Sequence, residues 1–279
     1  LKLLDSVYTG SHPGSDREFG PRVSTRPRAR MATKNAPNQQ PQSYWKPEGQ
    51  LTAVLEEHQA QVNCIAVSPD QVFFLTGSDD GSVKVWDTSR FERNMAHRSR
   101  QAHRHASGAS ITSLCFVDST HSFISTASDG TVDIVKVDVT ETNGNVRYGK
   151  LQVLRSWMIP AKPEQKEYAI GVEHGKMEGR SVCVVVTNLC RILFIDIYSM
   201  EVTYELQNPI QHGTPTTFCI SKRWQWLLIG TSHGVLDIRD LRFRLRLRAW
   251  TVPRPAPITR LTLHPSRKDS KKVKICVAG

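Results

Sequence analysis

The stretch from Glu57 to Thr88, EHQAQVNCIAVSPDQVFFLTGSDDGSVKVWDT, decides the fold. Three runs in it have strand character: Val62 to Val67, Val72 to Thr76 and Ser82 to Trp86. In the first and third, Val and Ile alternate with small or polar residues, the period of a strand with two different faces. Ser68-Pro69-Asp70 punctuates the first gap and Asp79-Asp80-Gly81 the second. Gly supplies the positive φ that a tight hairpin requires. The spacing therefore predicts a three-stranded antiparallel meander that closes on Trp86-Asp87.

Further along, the same pattern returns in weaker form. Ile111 to Asp138 gives ITSLCFV, SFISTAS and TVDIVKV, with Asp129-Gly130 in the turn. A third unit is predicted over Tyr168 to Glu173, Ser181 to Thr187 and Arg191 to Ile197, and a fourth over Thr216 to Ile220, Trp226 to Gly230 and Val235 to Ile238. A fifth opens with Ile258 to Leu263 and continues at Val273 to Val277. The position of Trp86 is taken by Val135, Ile195 and Arg239 in the next three units, with Asp196 and Asp240 following the last two. Leu151 to Met158 reads as an outer strand after an irregular stretch that begins past Asp138. Leu51 to Leu55 reads as a lone strand, orphaned or weakly paired.

A His ahead of the first strand, Ser-Pro-Asp after it, Asp-Gly in the second turn and a closing Trp-Asp together resemble a WD40 repeat. The resemblance implies an all-β propeller of about four and a half blades out of seven. It also implies a hydrogen-bonded chain through His58, Thr76, Asp80 and Trp86. A buried indole N–H needs an acceptor, and each link is worth about 1 kcal/mol net. In the second unit Ser107 stands where the His would be, so the chain is expected to be missing there. His58, Ser78 and Asp80 do not read as a hydrolase triad, because Ser78 does not stand in a Gly-x-Ser-x-Gly elbow and a meander supplies no strand-to-helix turn to present it.

Two longer phrases narrow the family. WKPEGQLTAVLEEH, from Trp45 to His58, and WLLIGTSHGVLDIRDLRFRL, from Trp226 to Leu245, resemble the C-terminal propeller of the regulatory, protein-kinase-like subunit of the class III phosphatidylinositol 3-kinase complex. The family usually places Trp where this chain has Arg239. The resemblance implies a parent with a kinase-like domain and helical repeats ahead of the propeller. It implies protein partners, namely the lipid kinase and beclin-type coiled-coil subunits, in endosomal or vacuolar sorting and autophagy. The expected location is cytoplasmic and peripheral on those membranes. No Gly-rich phosphate loop, His-Arg-Asp or Asp-Phe-Gly occurs in the chain, so no catalytic residue is expected, and no cofactor or metal.

The composition, 39 % hydrophobic, is enough for a core but not for a membrane span. The 279 residues carry a net charge of +11, and no run of 18 apolar residues appears. Six cysteines show no CxxC pair. Cys64, Cys115 and Cys219 fall in predicted first strands and read as buried, reduced thiols. Residues 1–49, rich in Ser, Pro, Arg, Asn and Gln, read as a disordered basic linker ahead of a propeller over 50–279. The chain starts at Leu1 and stops inside the fifth unit, so a fragment with raw sheet edges is expected. Between the first two units, HRSRQAHRH (His97 to His105) has a His spacing that suggests metal. It lacks a Cys or carboxylate, which favours a polar loop.

Charge clusters offer the alternative function. Arg242, Arg244, Arg246 and Arg248 alternate with Phe243, Leu245, Leu247 and Ala249. The period of two predicts an outer strand with one solvated face. The ladder is the candidate interaction surface, for an acidic protein or, alternatively, for phosphoinositide or nucleic acid. Paired arginines of the Phe-Arg-Arg-Gly type are missing, and the aromatics that would interleave a nucleic-acid face are few.

Overall fold

The computed structural model describes residues 2–5, 50–91, 97–142, 145–161, 164–253, 256–263 and 275–279. The linker expected over 1–49 lies outside them except for Lys2–Asp5. Two compact units separate, Lys2–Val54 and, apart from the terminal Leu1, Leu55–Gly279. In the smaller one, β1 (Lys2–Asp5) pairs antiparallel with β2 (Gln50–Val54). This corrects the expectation that Leu51 to Leu55 has no firm partner: the partner comes from the first residues of the chain, across more than 40 positions with no strand periodicity to announce it.

The larger unit is a succession of antiparallel sheets. The first contains β3 (Val62–Val67), β4 (Phe73–Ser78), β5 (Ser82–Asp87) and β6 (Gln101–Arg104) in that order. The second contains β7 (Ile111–Phe116), β8 (Ser122–Ala127) and β9 (Thr131–Lys136). Before its outer strand the chain makes a hairpin of β10 (Val139–Thr142) and β11 (Asn145–Tyr148), and β12 (Gln152–Met158) then pairs with β9. That hairpin was expected to be irregular. Asn-Gly is a strong hairpin signal, and Asn143-Gly144 falls between the two strands.

The third sheet orders β13 (Ala169–Met177), β14 (Arg180–Thr187), β15 (Arg191–Asp196) and β16 (Val202–Gln207). The fourth orders β17 (Pro215–Ile220), β18 (Trp226–Thr231), β19 (Val235–Asp240) and β20 (Leu245–Thr251). A two-stranded sheet of β21 (Arg260–Leu263) and β22 (Ile275–Ala278) ends the described chain. First strands of successive sheets are neighbours: β3 lies by β7, β7 by β13, β13 by β17, and β17 by β21. Four complete propeller blades and the opening of a fifth result.

Packing explains the different strand patterns. Apolar clusters form between consecutive sheets, so a middle strand is covered on both faces. Phe73, Leu75 and Val83 of the first sheet meet Ile111, Phe123 and Val135 of the second. Val182, Val184, Ile192 and Phe194 of the third meet Phe218, Leu227 and Ile229 of the fourth. Burying such a side chain contributes roughly 1.5–3 kcal/mol. Consequently β4 is buried throughout, while β3 alternates. In the tight turn between second and third strands Gly81, Gly130 and Gly234 take positive φ, and Cys190 takes the same place in the third sheet at φ 65°. Among the described residues no helix is long and apolar enough to cross a membrane.

Candidate functional site

Polar side chains form a buried network inside the blades, beginning in the first sheet. Trp86 is 1 % exposed and stacks on Phe74, with ring centroids 6.3 Å apart. Its indole N–H donates to Thr76 Oγ1 at 2.8 Å. Thr76 Oγ1 lies 2.6 Å from His58 Nε2, and His58 Nδ1 lies 2.8 Å from Asp80 Oδ2. With Thr76 accepting from the indole, its own proton is free to point at Nε2, which leaves Nδ1 to face the carboxylate. Burial opposes ionisation of Asp80, but Ser82, His58 and the Gln59 backbone N–H outweigh it and hold the carboxyl below its ordinary range.

The second sheet carries a counterpart that the sequence reading missed. His105 Nε2 lies 2.7 Å from Ser125 Oγ, and Nδ1 lies 2.8 Å from Thr131 Oγ1, whose hydroxyl donates to Asp129. Ser125, Asp129 and Thr131 stand at the positions of Thr76, Asp80 and Ser82. Only the Trp is replaced, by buried Val135. The His sits six residues ahead of β7 rather than four, which hid it; Ser107 bonds Asp129 instead. The predicted absence of this chain is therefore corrected.

So is the reading of HRSRQAHRH as a loop without a carboxylate. Gln101–Arg104 is the outer strand β6, and Asp133 of the next sheet reaches both rings: Oδ2 lies 3.0 Å from His103 Nε2 and 3.4 Å from His105 Nδ1. These three residues converge as metal ligands would, with ligand atoms within 4.8 Å of one another. Ser156 donates to Asp133 Oδ1 at 2.7 Å, and each ligand atom already has a hydrogen-bond partner. The group is thus complete as a protein network without an ion. Burial lowers the pKa of His105, partly against the pull of Asp133.

Arg239, at the Trp position of the fourth blade, is buried. It donates to Gln207 O at 2.9 Å, and its Nε lies 3.5 Å from Asp237 Oδ1. Asp237, 0 % exposed, also faces His212 Nδ1 at 3.3 Å; burial raises its pKa, with Arg239 opposing. An ionic anchor thus replaces the indole one. Asp237 occupies the place on its strand that Asp133 occupies in the second sheet. Ile195 is simply core. The aspartates after the Trp position share one task, closing the next turn: Asp87 accepts from Ser89 N–H, Asp196 from Tyr198 N–H and Asp240 from Arg242 N–H.

The arginine ladder differs from its reading. Arg242 and Arg244 belong to the turn, and the strand starts at Leu245. Both faces of β20 are open, with Leu245 62 % and Leu247 58 % exposed beside exposed Arg246 and Arg248. An outermost strand stands where neighbouring sheets splay apart, and β12 is open in the same way. Arg242 pairs with Asp240 at 2.6 Å, and Arg244 lies over the Tyr204 ring at 4.3 Å.

A cavity of about 570 Å³ is lined by the first strands, including Cys64, Cys115, Glu173, Cys219 and Arg260. Burial pushes the Glu173 carboxyl up to about 7. All six cysteines are free; Cys64 and Cys115 are half-buried rather than buried, because they border this cavity, and Cys276 is exposed.

The family model for the WD domain, G-beta repeat matches residues 49–87 and 98–134. The chain carries WD40 repeats. The second match opens on the His-rich stretch, so the outer strand of the first WD40 blade begins the second sequence repeat. Over most of its length the WD40 chain is similar to VPS15 serine/threonine-protein kinases. It is 32 % identical over 95 % of its residues to that of Komagataella pastoris. It is 34 % identical over 74 % to that of Dictyostelium discoideum and 31 % identical over 80 % to that of Arabidopsis thaliana. The WD40 chain spans 19 %, 10 % and 15 % of the lengths of these relatives.

Proposed function

We propose that the chain is the non-catalytic WD40 scaffold region of a class III phosphatidylinositol 3-kinase regulatory subunit. The observation that carries this reading is the similarity to VPS15 over 95 % of the chain. The polar networks of the first two blades support it too, because His58, Thr76, Asp80, His105 and Ser125 are engaged in mutual hydrogen bonds rather than aimed at a substrate. The proposed partners are the lipid kinase and the beclin-type coiled-coil subunits. The proposed setting is endosomal or vacuolar sorting and autophagy, with peripheral membrane association from the cytoplasm through the complex. The kinase activity in the relatives' names has no residues in this chain to perform it.

Affinity capture of the full-length parent tests the reading. The lipid kinase and coiled-coil subunits should co-purify in stoichiometric amounts, and deletion of residues 50–279 should weaken their retention. Capture of neither subunit overturns the proposal.

A further inference from the structure

The turn between first and second strands has the same frame in the first and fourth blades but a different cargo. In the first it is Ser68-Pro69-Asp70-Gln71, in the fourth Ser221-Lys222-Arg223-Trp224. Both close with the fourth residue's N–H on the Ser carbonyl, at 2.9 Å for Gln71 and 2.8 Å for Trp224. In both, the Ser hydroxyl accepts a backbone N–H from the following strand, and the fourth residue has positive φ, 62° for Gln71 and 54° for Trp224. Asp70 serves its turn directly, taking Ser68 Oγ–H and Val72 N–H. Lys222 and Arg223 serve theirs in no such way: they are exposed, and neither has a carboxylate within 4.0 Å among the described residues. A bulky aromatic at positive φ is an uncommon strain, and such strain gathers at functional positions. Turn geometry therefore does not account for Lys-Arg-Trp.

These three residues form one wall of a cleft of about 660 Å³. Asp118 and Ser119 from the second blade and His174, Gly175 and Lys176 from β13 complete it. The Trp224 ring lies against Gly175, where a Cβ would meet its Cε2 at 2.0 Å, so the missing side chain makes room for the indole. Lys176 is 3.6 Å from Asp118, so three cations face one carboxylate and two of them are unbalanced.

We propose that this cleft docks an acidic segment of a partner protein. Carboxylates of the segment would sit on Lys222 and Arg223, with the Arg fork able to grip one in bidentate fashion. Its backbone would cross the indole face of Trp224. A membrane is the less suitable occupant, because the indole packs against Gly175 instead of projecting into lipid. The chain's own stretch from Pro21 to Pro47 is excluded by charge, since it contains no Asp or Glu. The inference rests on the scaffold reading and supplies the chemistry of one partner.

The test uses the complete 279-residue chain and a fluorescein-labelled 12-residue peptide of alternating Glu-Asp pairs and Leu. Fluorescence anisotropy should show saturable binding that weakens from 50 to 300 mM NaCl. A Lys222→Glu/Arg223→Glu variant should bind at least tenfold more weakly with an unchanged melting temperature, both side chains being exposed. Arg104→Glu, an exposed charge on β6, should bind as wild type does. Wild-type binding that the double variant retains within twofold, or absence of binding, overturns the proposal. So does binding of phosphatidylserine–phosphatidylcholine vesicles (30:70) without binding of the peptide. Should the subunits fail to co-purify while the peptide still binds, the complex assignment falls and the docking site stands. The reverse pattern removes the docking site alone.

Discussion

His105 meets Ser125 at 2.7 Å, as His58 meets Thr76 at 2.6 Å one blade earlier. Neither pair is within 15 residues in sequence, and both are held by the same path of the chain ahead of a first strand. Replacing His105 with Ala strands the buried hydroxyl of Ser125 and leaves Asp133 one partner fewer. At about 1–3 kcal/mol per buried unpaired group, His105→Ala should destabilise by ~2–3 kcal/mol in urea unfolding. Ser107→Ala, with its exposed hydroxyl on Asp129, should cost less than ~1 kcal/mol. Equal costs would place the network on the wrong residue.

Asp80→Ala should destabilise the first blade by ~1–3 kcal/mol, because His58 loses its acceptor. Ser78 lies outside that hydrogen-bonded chain but has partners of its own: it is fully buried, donates to Ala60 O at 3.2 Å and accepts the Asp80 N–H at 3.1 Å. Ser78→Ala should therefore cost ~1 kcal/mol. The folded-state pKa of Asp80 is depressed, so its stabilisation is present above the unfolded value near 3.9 and is lost as pH falls through the folded value. Thermal melts of Asp80→Ala between pH 7 and pH 2 should show a shallower acid limb than wild type.

Glu173 gives the opposite slope. Its folded pKa is about 7 against 4.5 unfolded, so the folded chain binds more proton between those values. Stability contributed by the neutral acid is full below pH 4.5 and declines as pH rises to about 7. Glu173→Gln should remove this decline and stabilise the chain at pH 8 relative to wild type by ~1–3 kcal/mol. At pH 4 the two should melt alike. A variant difference independent of pH would show that the carboxyl titrates normally.

Arg244 and Arg246 flank the start of an outermost strand whose other side chains include exposed Leu245 and Leu247. Charges there oppose edge-to-edge pairing. Arg244→Thr/Arg246→Thr should lower the solubility limit severalfold and leave binding to acidic liposomes unchanged. Loss of liposome binding at constant solubility would assign the ladder to lipid.

The three inner strands of each full blade from Val62 to Asp240, the Asp-Gly turns and the first blade's His-Thr-Asp-Trp set were legible in the residues, because they depend on short-range periodicity and on fixed spacings within one meander. The outer strands Gln101–Arg104 and Val202–Gln207 were not, since their largely exposed faces set no hydrophobic period. The pairing of Lys2–Asp5 with Gln50–Val54 was not legible, since nothing local specifies a partner more than 40 residues away. Nor was the use of His103 and His105. Their carboxylate, Asp133, lies on the neighbouring sheet, and a shift of two residues in loop length conceals the match to His58. The anchor around Arg239 shows the same limit: a sequence displays a Trp replaced by Arg two residues after Asp237, but the Gln207 carbonyl and His212 that complete the group are brought over the sheet by the chain ahead of β17. Local spacing determines which elements form, whereas stacking of the sheets decides which polar groups share a buried space and must satisfy one another.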